Sequence, residues 1–164
     1  MQAEVLTYTV WEQMLATEMR ALYFGELVSR YQKADRLLAT VVLVLASSTA
    51  GAVIAKLPAD LYWLSVLLSL GAASASVWRF VARYADQAAN AADLHVQWNR
   101  LAADYEKLWN DIYAADAAQK LEGLLARGHE LSKPSTRFPK KDRMLNRWYD
   151  HVCAQNVAKY GSGA

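Results

Sequence analysis

Cysteine is nearly missing from this chain: Cys153 is the only one in 164 residues. A single thiol excludes an internal disulfide framework and a zinc site built from several cysteines. Proline is almost as scarce, with residues only at 58, 134 and 139. So few breakers leave long stretches free to be helical. No Gly-rich phosphate loop, His-Glu-x-x-His or Gly-x-Ser-x-Gly is present, which removes the best-marked catalytic classes. The net charge is only +2, too small to point to nucleic acid. The first residues lack a basic stretch ahead of an apolar run, so no cleaved signal peptide is expected. Charge is also missing locally. Residues 37–55 and 61–78 contain no Asp, Glu, Lys, Arg, His, Asn or Gln.

What is present begins with those two runs. Crossing a bilayer core of ~30 Å takes a helix of ~20 mainly apolar residues. Both runs sit near that length, and only Lys-Leu-Pro-Ala-Asp separates them. The expected fold is therefore an all-α membrane protein: a two-helix transmembrane hairpin, with spans 37–55 and 61–78, carrying a cytoplasmic helical bundle. The alternative is a bundle in water with the hairpin buried at its centre. A buried core helix of this length usually shows a polar residue at its exposed turn, which disfavours it. Arg20, Arg30, Lys33 and Arg36 precede the first run, Arg79 and Arg83 follow the second, and the link holds Lys56 alone. That asymmetry places both termini in the cytoplasm. Tyr62, Trp63 and Trp78 suit the aromatic belts at the two interfaces.

Four segments follow. Residues 1–36 form an N-terminal helix, with Trp11, Leu15, Met19, Leu22 and Leu27 at helical steps. Residues 37–78 are the hairpin. Residues 79–130 form a long helix, with a break expected near Asn90 and Asp93. Along it Leu94, Trp98, Leu101, Tyr105, Leu108 and Ile112 alternate in steps of four and three. That is a heptad-like seam, packing against the chain's own helices or against other protomers. Residues 131–164 are a basic loop, 131–141, and a last helix near 142–159. Leu145, Trp148, Val152 and Val157 are its expected buried side.

Small and hydroxylated residues mark the runs: Thr40, Ser47, Gly51, Ser65, Ser69 and Ser76. They serve either close helix packing or, in an oligomer, the lining of a pore. No ionisable group lies within either run, which argues against a proton relay or coupled transporter. The basic stretch Lys133, Arg137, Lys140, Lys141, Arg143 and Arg147 suits a solvated linker, or a site for lipid headgroups, a nucleotide or an acidic partner. Cys153 with His151 reads as a packed thiol beside a histidine, and His95 and His129 lie far off in sequence. No catalytic residue, cofactor or metal is expected.

The layout resembles a known family. An Arg/Tyr-rich helix (Arg20, Tyr23, Arg30, Tyr31) leads into the first run, and a tight hairpin follows. Then comes a long helix with Trp98, Leu101, Asp104-Tyr105, Leu108-Trp109 and Ile112, a Pro-containing segment and a short helix with Trp148. This is similar to the SLATT family, bacterial two-transmembrane effectors associated with SMODS nucleotidyltransferases and SLOG nucleotide sensors. The resemblance implies an inner-membrane, pore-forming effector of antiphage defence. It implies the lipid bilayer and copies of itself as partners, and a separate sensor or nucleotide-signal enzyme as trigger. The alternative function is a non-enzymatic membrane anchor or scaffold that recruits a cytoplasmic partner.

Overall fold

The structure, a computed structural model, describes residues 2–46 and 62–161. Among them are five helices and no strand: α1 (Gln2–Ala46), α2 (Tyr62–Ala82), α3 (Tyr84–Asn110), α4 (Ala117–Ser135) and α5 (Asp142–Tyr160). The chain divides into two compact units. One holds residues 1–27 and 90–164, the other residues 28–89.

The expected transmembrane hairpin is overturned. Among the described residues no helix is long and apolar enough to cross a membrane. Ten residues of the first run, 37–46, belong to α1, and its remainder, 47–55, lies outside the described residues. Helix α2 has 21 residues, but four serines, Gly71 and Arg79 dilute its apolar character. The all-helical class stands without the membrane. The inner-membrane location, the cytoplasmic placement of both termini and the pore-forming role fall with the spans.

The first unit closes a core of its own. On α1, Val10, Met14, Thr17, Ala21 and Phe24 recur in steps of four and three, and all are buried. The matching stripe on α3 is Ala91, Leu94, Trp98, Leu101, Tyr105 and Leu108, also buried. Two such stripes facing each other give the seam of an antiparallel helix pair. Trp11 meets Trp109 at 5.1 Å, while Ala21, ten residues further along α1, meets His95. There the His95 Nδ1–H donates to the Ala21 carbonyl at 2.7 Å, and Nε2 accepts from Asn99 at 3.1 Å.

Helix α4 folds back along α3 after a turn at 111–116 that buries Ile112. Arg127 pairs with Asp104 at 2.7 Å, and Trp98 Nε1–H donates to Ser135 Oγ at 3.2 Å. Gly128 faces Leu101, and a Cβ there would sit in ordinary contact with it at 3.6 Å. Pro134 lies inside α4, so the stretch 131–141 begins as helix and becomes loop only at 136. A proline this near a C-terminus removes one backbone hydrogen bond, and the helix tolerates it.

Helix α5 runs antiparallel to α1. Trp148 Nε1–H donates to Glu26 at 2.8 Å, with Arg147 paired to the same carboxylate. Asn156, buried, donates to Glu18 at 2.8 Å. Tyr160 stacks edge-on against Trp11, 6.0 Å away. Four helical segments thus share one core.

The second unit is built differently. It takes residues 28–46 of α1, all of α2 and the start of α3. Between α2 and α3 the chain turns at Arg83, whose φ is 47°. Gln87 covers the end of α2 by donating its side-chain amide to the Ala82 carbonyl at 2.8 Å, and Arg83 pairs with Asp86 at 2.7 Å. These contacts set the helix boundary here and not at Asn90–Asp93, where α3 is uninterrupted. Tyr31 and Tyr84 approach to 6.2 Å. The only buried apolar residue of this unit among the described residues is Ala88.

Candidate interaction surface

The second unit leaves its large apolar side chains uncovered. Phe80 is 85% exposed and Leu43 72%, and Leu37, Val44, Val66 and Trp78 are open as well. On α2 the exposed residues have a register. Trp63, Leu67, Leu70, Ser74, Val77 and Val81 follow one another in alternating steps of four and three, and every one is exposed. The seam Leu94, Trp98, Leu101, Tyr105, Leu108 and Ile112 has the same spacing, and every one of those residues is buried. The two stripes carry the same helical instruction. One is covered by the chain's own helices, and the other is bare. Contiguous exposed apolar area of this kind marks an interaction site.

No charge lies on the α2 stripe. Gly71 flanks it, and a Cβ there would meet no atom within 4 Å. The surface beside the stripe is therefore open to a close neighbour. Burying one large apolar side chain removes roughly 60–120 Å² from water. With twelve such residues exposed in this unit, the apolar area on offer is of the order of the ~800 Å² per partner of a standard interface.

The residues singled out in the sequence fall in several places. Thr40 is exposed on α1 and its hydroxyl donates to the Arg36 carbonyl at 2.9 Å. Ser76 is exposed on α2 and donates to Ala72 at 2.9 Å. Both hydroxyls are thus engaged by their own helix. Ser65 and Ser69 belong to α2, two positions on from Trp63 and Leu67 and so off the stripe's register. Ser47 and Gly51 lie outside the described residues. The six α3 seam residues are brought together in the core of the first unit.

The basic stretch is partly paired: Lys133 with Glu130 at 2.7 Å, Lys140 with Asp142 at 3.3 Å, and Arg147 with Glu26. Cys153 is half-buried on α5 and His151 is exposed, its ring 5.5 Å from Trp148. His95 ties α1 to α3, and His129 is exposed. Among the described residues no three His, Cys, Asp or Glu side chains gather so as to hold a metal ion.

The α2 stripe is not visible in the sequence because nearly every residue around it is apolar. A four-three step stands out only against polar neighbours, as it does on α3. Comparison of the chain with known family models, curated proteins and solved structures finds no match.

Proposed function

We propose that this chain is a non-catalytic, self-associating helical scaffold. Residues 28–89 pair with the same surface of a second copy, and the closed bundle of residues 1–27 and 90–164 is the part offered to a partner. The observation that supports this is the bare four-three stripe on α2, Trp63, Leu67, Leu70, Ser74, Val77 and Val81. A stripe with that spacing fits a second helix of the same spacing. It carries no charge, so two identical faces meet without repulsion, as a two-fold interface requires. It also offers no charge pattern that would select an acidic or basic partner instead. Recruitment of a separate sensor or nucleotide-signal enzyme of bacterial defence accompanies the SLATT resemblance and is proposed on that ground alone.

Sedimentation across a range of protein concentrations tests the reading. Dimers or larger assemblies are expected for the native chain, and monomers for Leu67→Glu/Leu70→Glu with unchanged helical circular dichroism. Each buried Leu contributes ~1.5–3 kcal/mol, so the double change should weaken association at least ~100-fold. A native chain that stays monomeric overturns the proposal. So does one that floats with phosphatidylcholine vesicles while failing to self-associate.

A further inference from the structure

A different feature lies inside the first unit. Arg20 of α1 is half-buried, and its guanidinium lies over the Trp98 ring, 4.9 Å from the centroid. No ion pair involves Arg20 among the described residues. It borders a cavity of about 510 Å³ whose wall includes Tyr23, Phe24, Trp98 and Phe138. Such a volume lies within the ~300–1,000 Å³ usual for small-molecule sites.

The polar groups around this cavity are unequal. The Tyr23 hydroxyl donates to the Pro139 carbonyl. Ser135 Oγ donates to the Leu131 carbonyl at 2.7 Å and accepts from Trp98 at 3.2 Å. The donors left for a ligand are Arg20 and Lys140, whose pair with Asp142 is open to water. A guanidinium carries five N–H donors in a planar fork that matches a carboxylate or phosphate, and no ion pair occupies those of Arg20 among the described residues. Burial pulls the Arg20 pKa down from its usual value, with Tyr105 opposing that shift.

Rings supply the rest. Phe24 and Phe138 meet edge to face at 5.5 Å, and Tyr23 and Phe24 do so at 5.4 Å. Rings in that arrangement offer edges and faces to a further flat ring.

We propose that this cavity binds a small organic anion with a flat ring, the anionic group on Arg20 and the ring among Tyr23, Phe24 and Phe138. The anion replaces the water that Arg20 has lost, and the contact with Trp98 places the guanidinium beforehand. The carboxylate and the phosphate are two sources of one chemistry. The site lies wholly in the first unit, so it stands apart from assembly through the second.

Calorimetric titration of the full chain with benzoate, phenyl phosphate, phenol and acetate tests it. Saturable binding is expected for benzoate, phenyl phosphate or both, and the one that binds identifies the anion. Phenol lacks the charge and acetate the ring, so each should bind at least ~10-fold more weakly. A hydrogen bond to a charged group accounts for a factor of roughly 10–100, so Arg20→Gln should weaken the anion by ~10-fold or more. Phe138→Ala lies in the 136–141 loop, where it breaks no helix, and removes one ring at a cost of ~3–10-fold in affinity. It serves if Arg20→Gln disturbs folding, which the thermal midpoint reports. The proposal is overturned if neither anion saturates below about 10 mM. Equal binding of phenol, or unchanged affinity in a folded Arg20→Gln or Phe138→Ala chain, overturns it as well.

Discussion

At the residue scale, two positions show how the first unit is held. Gly25 interrupts an otherwise strong helix former, and the reason lies across the bundle. A Cβ at Gly25 would sit 3.1 Å from Cε1 and 3.2 Å from Nδ1 of His95. The missing side chain is space for that imidazole, which bonds the Ala21 carbonyl. Gly25→Val should destabilise the chain by ~1–3 kcal/mol through overpacking, read as a lower urea midpoint at unchanged slope. Gly25→Ala should come out near neutral, because a gain of ~1 kcal/mol in helix propensity opposes the tighter contact. Tyr105 is the second position. Burial pushes its phenol up to about 12, with the Arg20 charge opposing that rise. A phenol whose folded pKa is raised adds stability below its unfolded value of 10.0, and that part is lost as pH climbs toward the folded value. The thermal midpoint should therefore drop between about pH 9 and pH 12, and drop less in Tyr105→Phe.

At the element scale, the α3–α4 pair carries an acid-sensitive contact. Hydrogen bonding from Arg127, opposed by some burial and aided by Lys107, holds the Asp104 carboxyl below its usual range. A depressed carboxyl contributes stability above its unfolded pKa of 3.8 and loses it as pH falls through the folded value. Both partners are partly open to water, at 31% for Asp104 and 53% for Arg127, so the pair is worth at most ~1 kcal/mol. Asp104→Asn should lower the urea midpoint slightly at neutral pH and flatten the decline below about pH 4. Helix α2 makes the opposite kind of prediction, because its face is open and a second copy is proposed to pack there. Gly71→Leu adds a side chain where a Cβ meets nothing and improves helix propensity by ~1 kcal/mol. It should leave the helix intact, yet hold a second copy away and shift sedimentation toward monomer.

At the scale of the whole molecule, the two units differ in how much they complete alone. The first joins α1, α3, α4 and α5 through contacts such as Trp148 with Glu26 and Asn156 with Glu18. The second buries Ala88 and leaves Phe80, Leu43 and the α2 stripe in the open. An element that finishes its core on a second copy gains stability by mass action. The thermal midpoint of the native chain should therefore rise with protein concentration. In Leu67→Glu/Leu70→Glu it should be independent of concentration, and scanning calorimetry at two concentrations separates the cases.

Much of the architecture is legible in the residues alone. Scarce proline and glycine dictate helix, and the polar neighbours of Leu94, Trp98, Leu101, Tyr105, Leu108 and Ile112 reveal one apolar side. At 37–55 and 61–78 uniform apolarity matches a membrane span in length, yet no described helix is long and apolar enough to be one. In the sequence Arg20 is one flanking charge among several. A pattern along a helix reports which side avoids water, because that depends on residues three and four apart. It does not report what covers that side, which depends on residues far away in the chain: Trp98 reaches Ser135, and Glu26 reaches Trp148. Only the tertiary structure decided that the α3 seam is buried and the α2 stripe bare, and that Arg20 lies over Trp98 with no ion pair among the described residues.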